Sequence, residues 1–248
     1  MYEERLVAFL DILGFKEAIN ESSISHTRFN EIKSFLQTYS NSNHAKEVFG
    51  NFVNGDGSSC KEGDIEHLKS VYEYSFTQFS DSFVFSVKNE NIIASQFFPL
   101  LVAEFINNAL NLGFLIRGGI SIGKMIHDEN GPTFGPAFIK AYQLESRQAV
   151  FGRVVVSDTA FSFMKTISDF GENFIEDGCD GNKEITISSY INTIYKNNEE
   201  RRVSEINKAI NQLDALKKSV HEENKENCHN KYNYIQEKLL RSIDIKKQ

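Results

Sequence analysis

Leu6-Val-Ala-Phe-Leu-Asp-Ile-Leu-Gly-Phe15 is the stretch on which the fold of this chain turns. A run this apolar and this short fits a buried strand, yet it carries one carboxylate, Asp11, near its end. A lone buried charge is costly, so the fold must supply a compensator: an Arg or Lys, a cluster of backbone donors, or a metal. On one reading Asp11 is structural and caps the helix that begins near Gly14 or Phe15. The functional reading needs a second carboxylate in a similar setting. Phe76-Thr-Gln-Phe-Ser-Asp-Ser-Phe-Val-Phe-Ser-Val87 supplies one, because it reads as two strands folding back on each other with Ser80-Asp81 at the turn. A carboxylate at a hairpin tip, presented to the end of a neighbouring strand, can share cations with Asp11.

Composition narrows the class. The chain has 248 residues, 40% of them hydrophobic and 12% aromatic, enough for a sizeable core. The expected division is a domain over 1–190 and a helical C-terminal extension over 191–248. A net charge of −7 without a Lys/Arg stripe argues against a general nucleic-acid binder, although metals could neutralise a small polyanionic substrate locally. Cys60, Cys179 and Cys228 are odd in number and widely separated, which suggests neither a disulfide framework nor a zinc site. The N-terminal apolar run is too short for a signal peptide and follows Glu3 and Glu4 rather than basic residues. No run is expected to reach the roughly 20 apolar residues of a membrane helix. These features predict a soluble, reducing, cytoplasmic setting with no membrane partner.

The remaining elements follow from periodicity. Residues 5–13 form the first strand, and Phe15 to Tyr39 reads as a helix broken between Asn20 and Ser25. Residues 40–66 look like a long loop. Leu68–Phe79 and Ser82–Lys88 fit paired strands, and Ile92–Leu112 a helix that Gly113 ends. Phe114–Met125 is a strand followed by a polar turn at His127–Asn130, where His127 is expected to be solvated. A helix over Gly135–Ser146, a strand at Val154–Val156 and a helix over Asp158–Lys165 follow, then a polar, glycine-rich stretch from 168 to 185. In the tail, Val203, Ile206, Ile210, Leu213 and Val220 keep a 3-4 spacing that fits a helix packed on its own domain or a dimer contact. The order strand, helix, hairpin, helix, strand, helix, strand predicts a ferredoxin-like α+β core.

Taken together, three stretches resemble the catalytic domain of class III nucleotidyl cyclases. Phe9-Leu-Asp-Ile-Leu-Gly-Phe15 is similar to that family's first metal motif, and Phe79-Ser-Asp81 resembles its Gly-Asp hairpin. Arg117-Gly-Gly-Ile-Ser-Ile-Gly123 and Phe134-Gly-Pro-Ala-Phe-Ile-Lys-Ala-Tyr-Gln-Leu-Glu145 resemble its later strand and helix. More narrowly, Asp-Ile-Leu-Gly-Phe, Phe-Ser-Asp-Ser and Arg-Gly-Gly-Ile are similar to the pyrimidine cyclases of bacterial Pycsar antiphage systems.

This resemblance implies conversion of UTP, or alternatively CTP, to a cyclic mononucleotide and diphosphate, with two Mn²⁺ or Mg²⁺ ions. It implies a homodimer with sites at the interface and a separately encoded effector that the product activates. Asp11 and Asp81 would hold the metals together with the Ile12 carbonyl. The backbone amides of Leu13, Gly14 and Phe15 would take phosphate, and Phe9, Thr77 and Tyr142 would contact the nucleotide. The chain departs from the purine enzymes in two places. Thr77 and Pro132 align with the Lys and Asp that read the purine base, while Ile139 and Gln143 align with an Asn and an Arg associated with the transition state. The first change suits a different base. The second is also what a degenerate, nucleotide-sensing domain would show. Arg117, Arg147 and Arg153 are the candidates for a replacement cation.

Overall fold

The computed structural model describes residues 1–40, 73–128, 131–219 and 225–244, the side chains of 219, 225–229 and 244 excepted. Most of the loop expected at 40–66, the start of the strand expected from Leu68, residues 129–130, Val220, Cys60 and the side chain of Cys228 lie outside the described residues.

The first half runs β1 (Glu3–Leu13), α1 (Phe15–Ser22), α2 (His26–Tyr39), β2 (Ser75–Phe79), β3 (Ser82–Lys88) and α3 (Ile92–Asn111). The second half runs β4 (Leu115–His127), β5 (Thr133–Phe134), α4 (Pro136–Gln148), β6 (Val154–Val156), α5 (Asp158–Ile167), α6 (Asp169–Glu172), β7 (Glu176–Asp177), β8 (Lys183–Ile185) and α7 (Ile187–Ile194). Two long helices, α8 (Glu199–Ser219) and α9 (Lys225–Asp244), close the chain. The strands form one sheet in the order β2-β3-β1-β4-β6-β8-β7, with β5 paired to β4. Every pairing is antiparallel except β4 with β6, which α4 connects. This is the α+β class expected from the element order.

β1 is central, which explains why it is apolar throughout. Leu6, Ala8, Leu10 and Ile12 enter the main core. Val7 and Phe9 alternate to the other face and join Val84, Met125, Ala137 and Ala141 in a smaller core. The second core forms because α4 lies directly on the sheet. At Gly119 a Cβ would stand 2.3 Å from the Ala141 carbonyl, so glycine there permits the close approach.

The structure adds to the expectation in one place, corrects it in a second, and in the tail follows the first of the two readings. Within the polar, glycine-rich stretch from 168 to 185, to which the sequence assigned no element, β7 and β8 form a hairpin that extends the sheet, because Lys183–Ile185 pair with β6. α3 is long and apolar enough, by length and composition, to cross a membrane, correcting the expectation that no run qualifies; 72% of its apolar window is buried, since the sheet and neighbouring helices cover it. The tail packs on its own domain: Ile206, Leu213, Ile235 and Leu239 join the main core.

Candidate active site

Asp11 is registered between two strands, opposite Ser82 on β3 and Arg117 on β4. Those two residues satisfy its carboxylate: Ser82 Oγ donates to Oδ1 at 3.1 Å and Arg117 Nε to Oδ2 at 3.0 Å. Of the three possible compensators, the one present is therefore an arginine. The capping alternative is excluded, because the N-cap of α1 is Gly14 and it receives no side-chain cap bond.

Arg117 also serves a second carboxylate. Its Nε lies 2.7 Å from Glu145 Oε1 on α4, but its single N–H is directed at Asp11, so Oε1 is left buried without a hydrogen bond. Burial raises the Glu145 pKa; Arg117 opposes the shift and Asp11 adds to it.

Asp81 reaches the same edge. Ser80 takes a left-handed φ of 57°, which turns the β2–β3 chain within two residues and sets Asp81 at the tip. The Asp81 carbonyl accepts from the Ile12 N–H at 3.0 Å, so the hairpin tip is tied to the residue after Asp11. Gly14 follows with φ 81° and bends the chain from β1 into α1. With no side-chain cap, the first amides of α1 remain available to an anion beside the two carboxylates. The structure therefore brings Asp11, Ile12, Asp81, Leu13, Gly14 and Phe15 to one end of the sheet.

The face that carries Asp11 continues into a polar floor. Thr77 lies opposite Val84, which lies opposite Phe9. The Thr77 hydroxyl is 2.8 Å from His127 Nε2 and 3.2 Å from Thr133 Oγ1, beside Pro132. The aligned positions 77 and 132 are thus neighbours in space. His127 is not solvated as expected: it ends β4, is 5% exposed, and its Nδ1 lies 2.8 Å from Ser86 Oγ. Burial and nearby Arg5 push its pKa down to about 4.

Phe9 of β1 and Tyr142 of α4 meet edge to face at 5.4 Å. Phe9 is buried in the small core, whereas Tyr142 is half-exposed and stands between Phe9 and solvent. Ile139 and Gln143 are also exposed on this helix.

Two of the three candidate cations are elsewhere. Arg153 is 1% exposed and held by Asp180 and by Glu184 at 2.6 Å, so it is a structural cation. Arg147 is exposed in the last turn of α4. Arg117 alone is within reach of Asp11. Sequence reasoning missed Glu145, Ser86, Thr133 and the contacts of His127. The alternation of Arg117, Gly119, Ser121, Gly123, Met125 and His127 along β4 was the available signal, since it places them on the Asp11 face.

A divalent cation fits this arrangement. Asp11 and Asp81 are hard oxygen donors at one edge, with a backbone carbonyl beside them. No group of three or more His, Cys, Asp or Glu that could hold a metal occurs among the described residues. A pair of carboxylates suits a small divalent ion that takes its other ligands from substrate phosphate and water. A cleft of about 710 Å³ between α1 and the tail helices adjoins this turn, since Leu13 and Gly14 line it, but neither aspartate does.

No family model and no curated protein matches the chain. Solved structures do. A monomeric guanylyl cyclase domain of the RhoGC fusion protein from the aquatic fungus Blastocladiella emersonii aligns at 15% identity and TM-score 0.43, covering 75% of this chain and 95% of that one. A bacterial light-regulated adenylyl cyclase aligns at 14% and 0.42, covering 83% and 98%. The catalytic core of a rhodopsin-guanylyl cyclase with converted specificity, in complex with ATPalphaS, aligns at 16% and 0.39, covering 75% and 96%. These neighbours are nucleotidyl cyclase domains. Similarity at this level assigns neither family nor activity to this chain.

Proposed function

We propose that the chain is a nucleotidyl cyclase that converts UTP to 3′,5′-cyclic UMP and diphosphate. The observation that carries the reading is the meeting of Asp11 and Asp81, 70 residues apart in sequence, at one sheet edge beside an uncapped helix N-terminus. The motifs that resemble class III cyclases fall on these elements.

The reaction joins the ribose 3′-oxygen to the α-phosphorus, breaks the bond from that phosphorus to the diphosphate oxygen, and releases the 3′-hydroxyl proton. Asp11, Asp81 and the Ile12 carbonyl would hold two divalent cations, Mn²⁺ or Mg²⁺. Bound there, the ions would lower the pKa of the attacking hydroxyl and neutralise charge on the phosphates.

The chain's own groups position the substrate. Leu13 leads the chain from the β1–β4 ladder into the turn, where the amides of Gly14 and Phe15 at the start of α1 receive phosphate oxygens, helped by the helix dipole. Arg117, a third exposed, supplies a fixed guanidinium at the same edge, and its planar fork suits phosphate. It takes the cationic role that Gln143 cannot fill. Tyr142 offers its exposed ring to the ribose or base. The exposed apolar side chains of Ile139 and Tyr142 on α4 suit a second copy of the chain, so that two sites form at a dimer interface. The product would act on a separately encoded effector in antiphage defence, as the Pycsar resemblance implies.

Incubating the purified chain with each of the four ribonucleoside triphosphates and Mn²⁺, with products resolved by mass, tests the proposal. UTP alone should yield a cyclic mononucleotide. Product from CTP alone would support the alternative cytidylate cyclase, and binding without product a nucleotide sensor.

A further inference from the structure

One guanidinium at the sheet edge faces two carboxylates and fully satisfies one of them. Arg117 Nε and Nη2 both lie 3.0 Å from Asp11 Oδ2. The same Nε is 2.7 Å from Glu145 Oε1, but it carries a single N–H, and that N–H points at Asp11. Glu145 Oε1 is therefore buried with no hydrogen bond among the described residues, on a side chain that is 4% exposed. Orphaned buried acceptors are uncommon and costly, so one held this close to a donor that serves another group calls for a reason.

The packing builds that distance in. Glu145 comes from α4, which lies so close on β4 that a Cβ at Gly119 would stand 2.6 Å from Leu144 Cβ and 3.1 Å from the Glu145 nitrogen. Gly119 is two residues beyond Arg117 on the same face of β4. Glycine there lets the C-terminal half of α4 sit low enough for Glu145 to reach the arginine. On the other side of Arg117, both Asp11 oxygens are in use, Oδ1 by Ser82 Oγ at 3.1 Å and Oδ2 by Arg117. An aspartate that bridges two cations needs both oxygens. The Ser82 hydroxyl is neutral and can turn its proton away, whereas Arg117 is a permanent positive charge on the oxygen that a cation would take, and the two repel.

We infer that Arg117 is a counter-ion with two stations: it guards Asp11 when no cation is bound, and it passes to Glu145 when a divalent cation takes Asp11 Oδ2. Glu145 is a positioning residue, the waiting acceptor that makes the exchange possible. The move is a turn of the guanidinium at the same edge, since Nε is already 2.7 Å from its second partner. With its Nε–H on Glu145, Nη2 is released from Asp11 and the terminal nitrogens of the fork can take phosphate. Cation binding thus comes before the arginine is available to the nucleotide, which orders the two events. The inference rests on the proposed cation site and deepens it to how that site is regulated.

The Nε–H of Arg117, assigned by its loss in Arg117→Lys, is followed in ¹H–¹⁵N spectra of the full chain during Mg²⁺ titration, with melting temperatures alongside. In the wild type Mg²⁺ should shift the signal and leave it protected from exchange with water, because Glu145 then holds it. In Asp11→Asn the signal should sit near that end point without Mg²⁺, since the charge on Glu145 then wins. In Glu145→Met, saturating Mg²⁺ should remove the protection, and Mn²⁺ affinity by electron paramagnetic resonance should fall about tenfold. Glu145→Gln, which keeps an acceptor, should retain the protection. A signal that Mg²⁺ leaves unmoved in a wild type that binds Mn²⁺, or one that stays protected in Mg²⁺-loaded Glu145→Met, would overturn the exchange alone. A wild type that binds no Mn²⁺ would overturn the cyclase reading, and this inference with it.

Discussion

Arg117 Nε donates to Asp11 Oδ2 at 3.0 Å, across the β1–β4 pair. The contact puts positive charge where the proposed chemistry needs it, beside a carboxylate that would otherwise be partly buried and unpaired. The nearby Glu145 oxygen gives the guanidinium a second partner when a cation takes Asp11.

Replacing Arg117 by Met should therefore act twice. Asp11 and Glu145 would face each other without a cation, at a cost of about 1–3 kcal/mol, reduced from a fully buried pair because Arg117 is partly exposed. The kcat/KM for the triphosphate should fall about a hundredfold, as for the loss of one charged stabilising group. Urea denaturation and initial rates measure the two effects; unchanged rates would remove Arg117 from the site.

Asp11→Asn and Asp81→Asn should each abolish turnover and leave the fold intact, since Arg117 keeps Glu145 as its partner and Asp81 sits at a hairpin tip. Mn²⁺ affinity, read by electron paramagnetic resonance, should drop at least about tenfold for either variant. A chelator should stop turnover without altering the far-ultraviolet circular dichroism.

His127 links stability to pH. Its folded pKa of about 4 lies below the ordinary 6.5, so the unfolded chain binds more protons between those values. The stabilisation is complete above 6.5 and is lost as pH falls towards 4. Between about pH 7.5 and about pH 5 the loss from this one group should approach ~2 kcal/mol. His127→Gln should flatten that part of the stability curve; an unchanged slope in urea titrations would contradict the buried, uncharged ring.

How much of this was legible in the sequence differs by residue. Asp11 stood out because a carboxylate interrupts an apolar strand, and Asp81 because Ser80-Asp81 separates two strand-like runs. Both signals are local. Arg153 looked like a free cation, yet it is enclosed by Asp180 and Glu184 from the β7–β8 region, with the Tyr234 ring of α9 stacked on Phe151. His127 looked like a turn residue because its partners, Thr77 and Ser86, lie 50 and 41 residues away. Pairings across the sheet decide these cases, and local periodicity does not encode them. The hairpin at 176–185 was hidden for a related reason: Glu184 is a fully buried carboxylate made tolerable by Arg153 and Lys238.

Ile139→Asp, on the exposed face of α4, should weaken self-association in analytical ultracentrifugation and lower the specific activity most at low protein concentration. A monomer with full activity would contradict a site shared between two copies.

The most direct measurement is a crystal structure of the chain with Mn²⁺ and a non-cyclisable UTP analogue, read by anomalous scattering at the manganese edge. The account predicts two manganese peaks between the carboxylates of Asp11 and Asp81, with phosphate oxygens completing their coordination at the start of α1. Manganese bound elsewhere, or Asp11 still occupied only by Arg117 and Ser82 with nucleotide present, would contradict it.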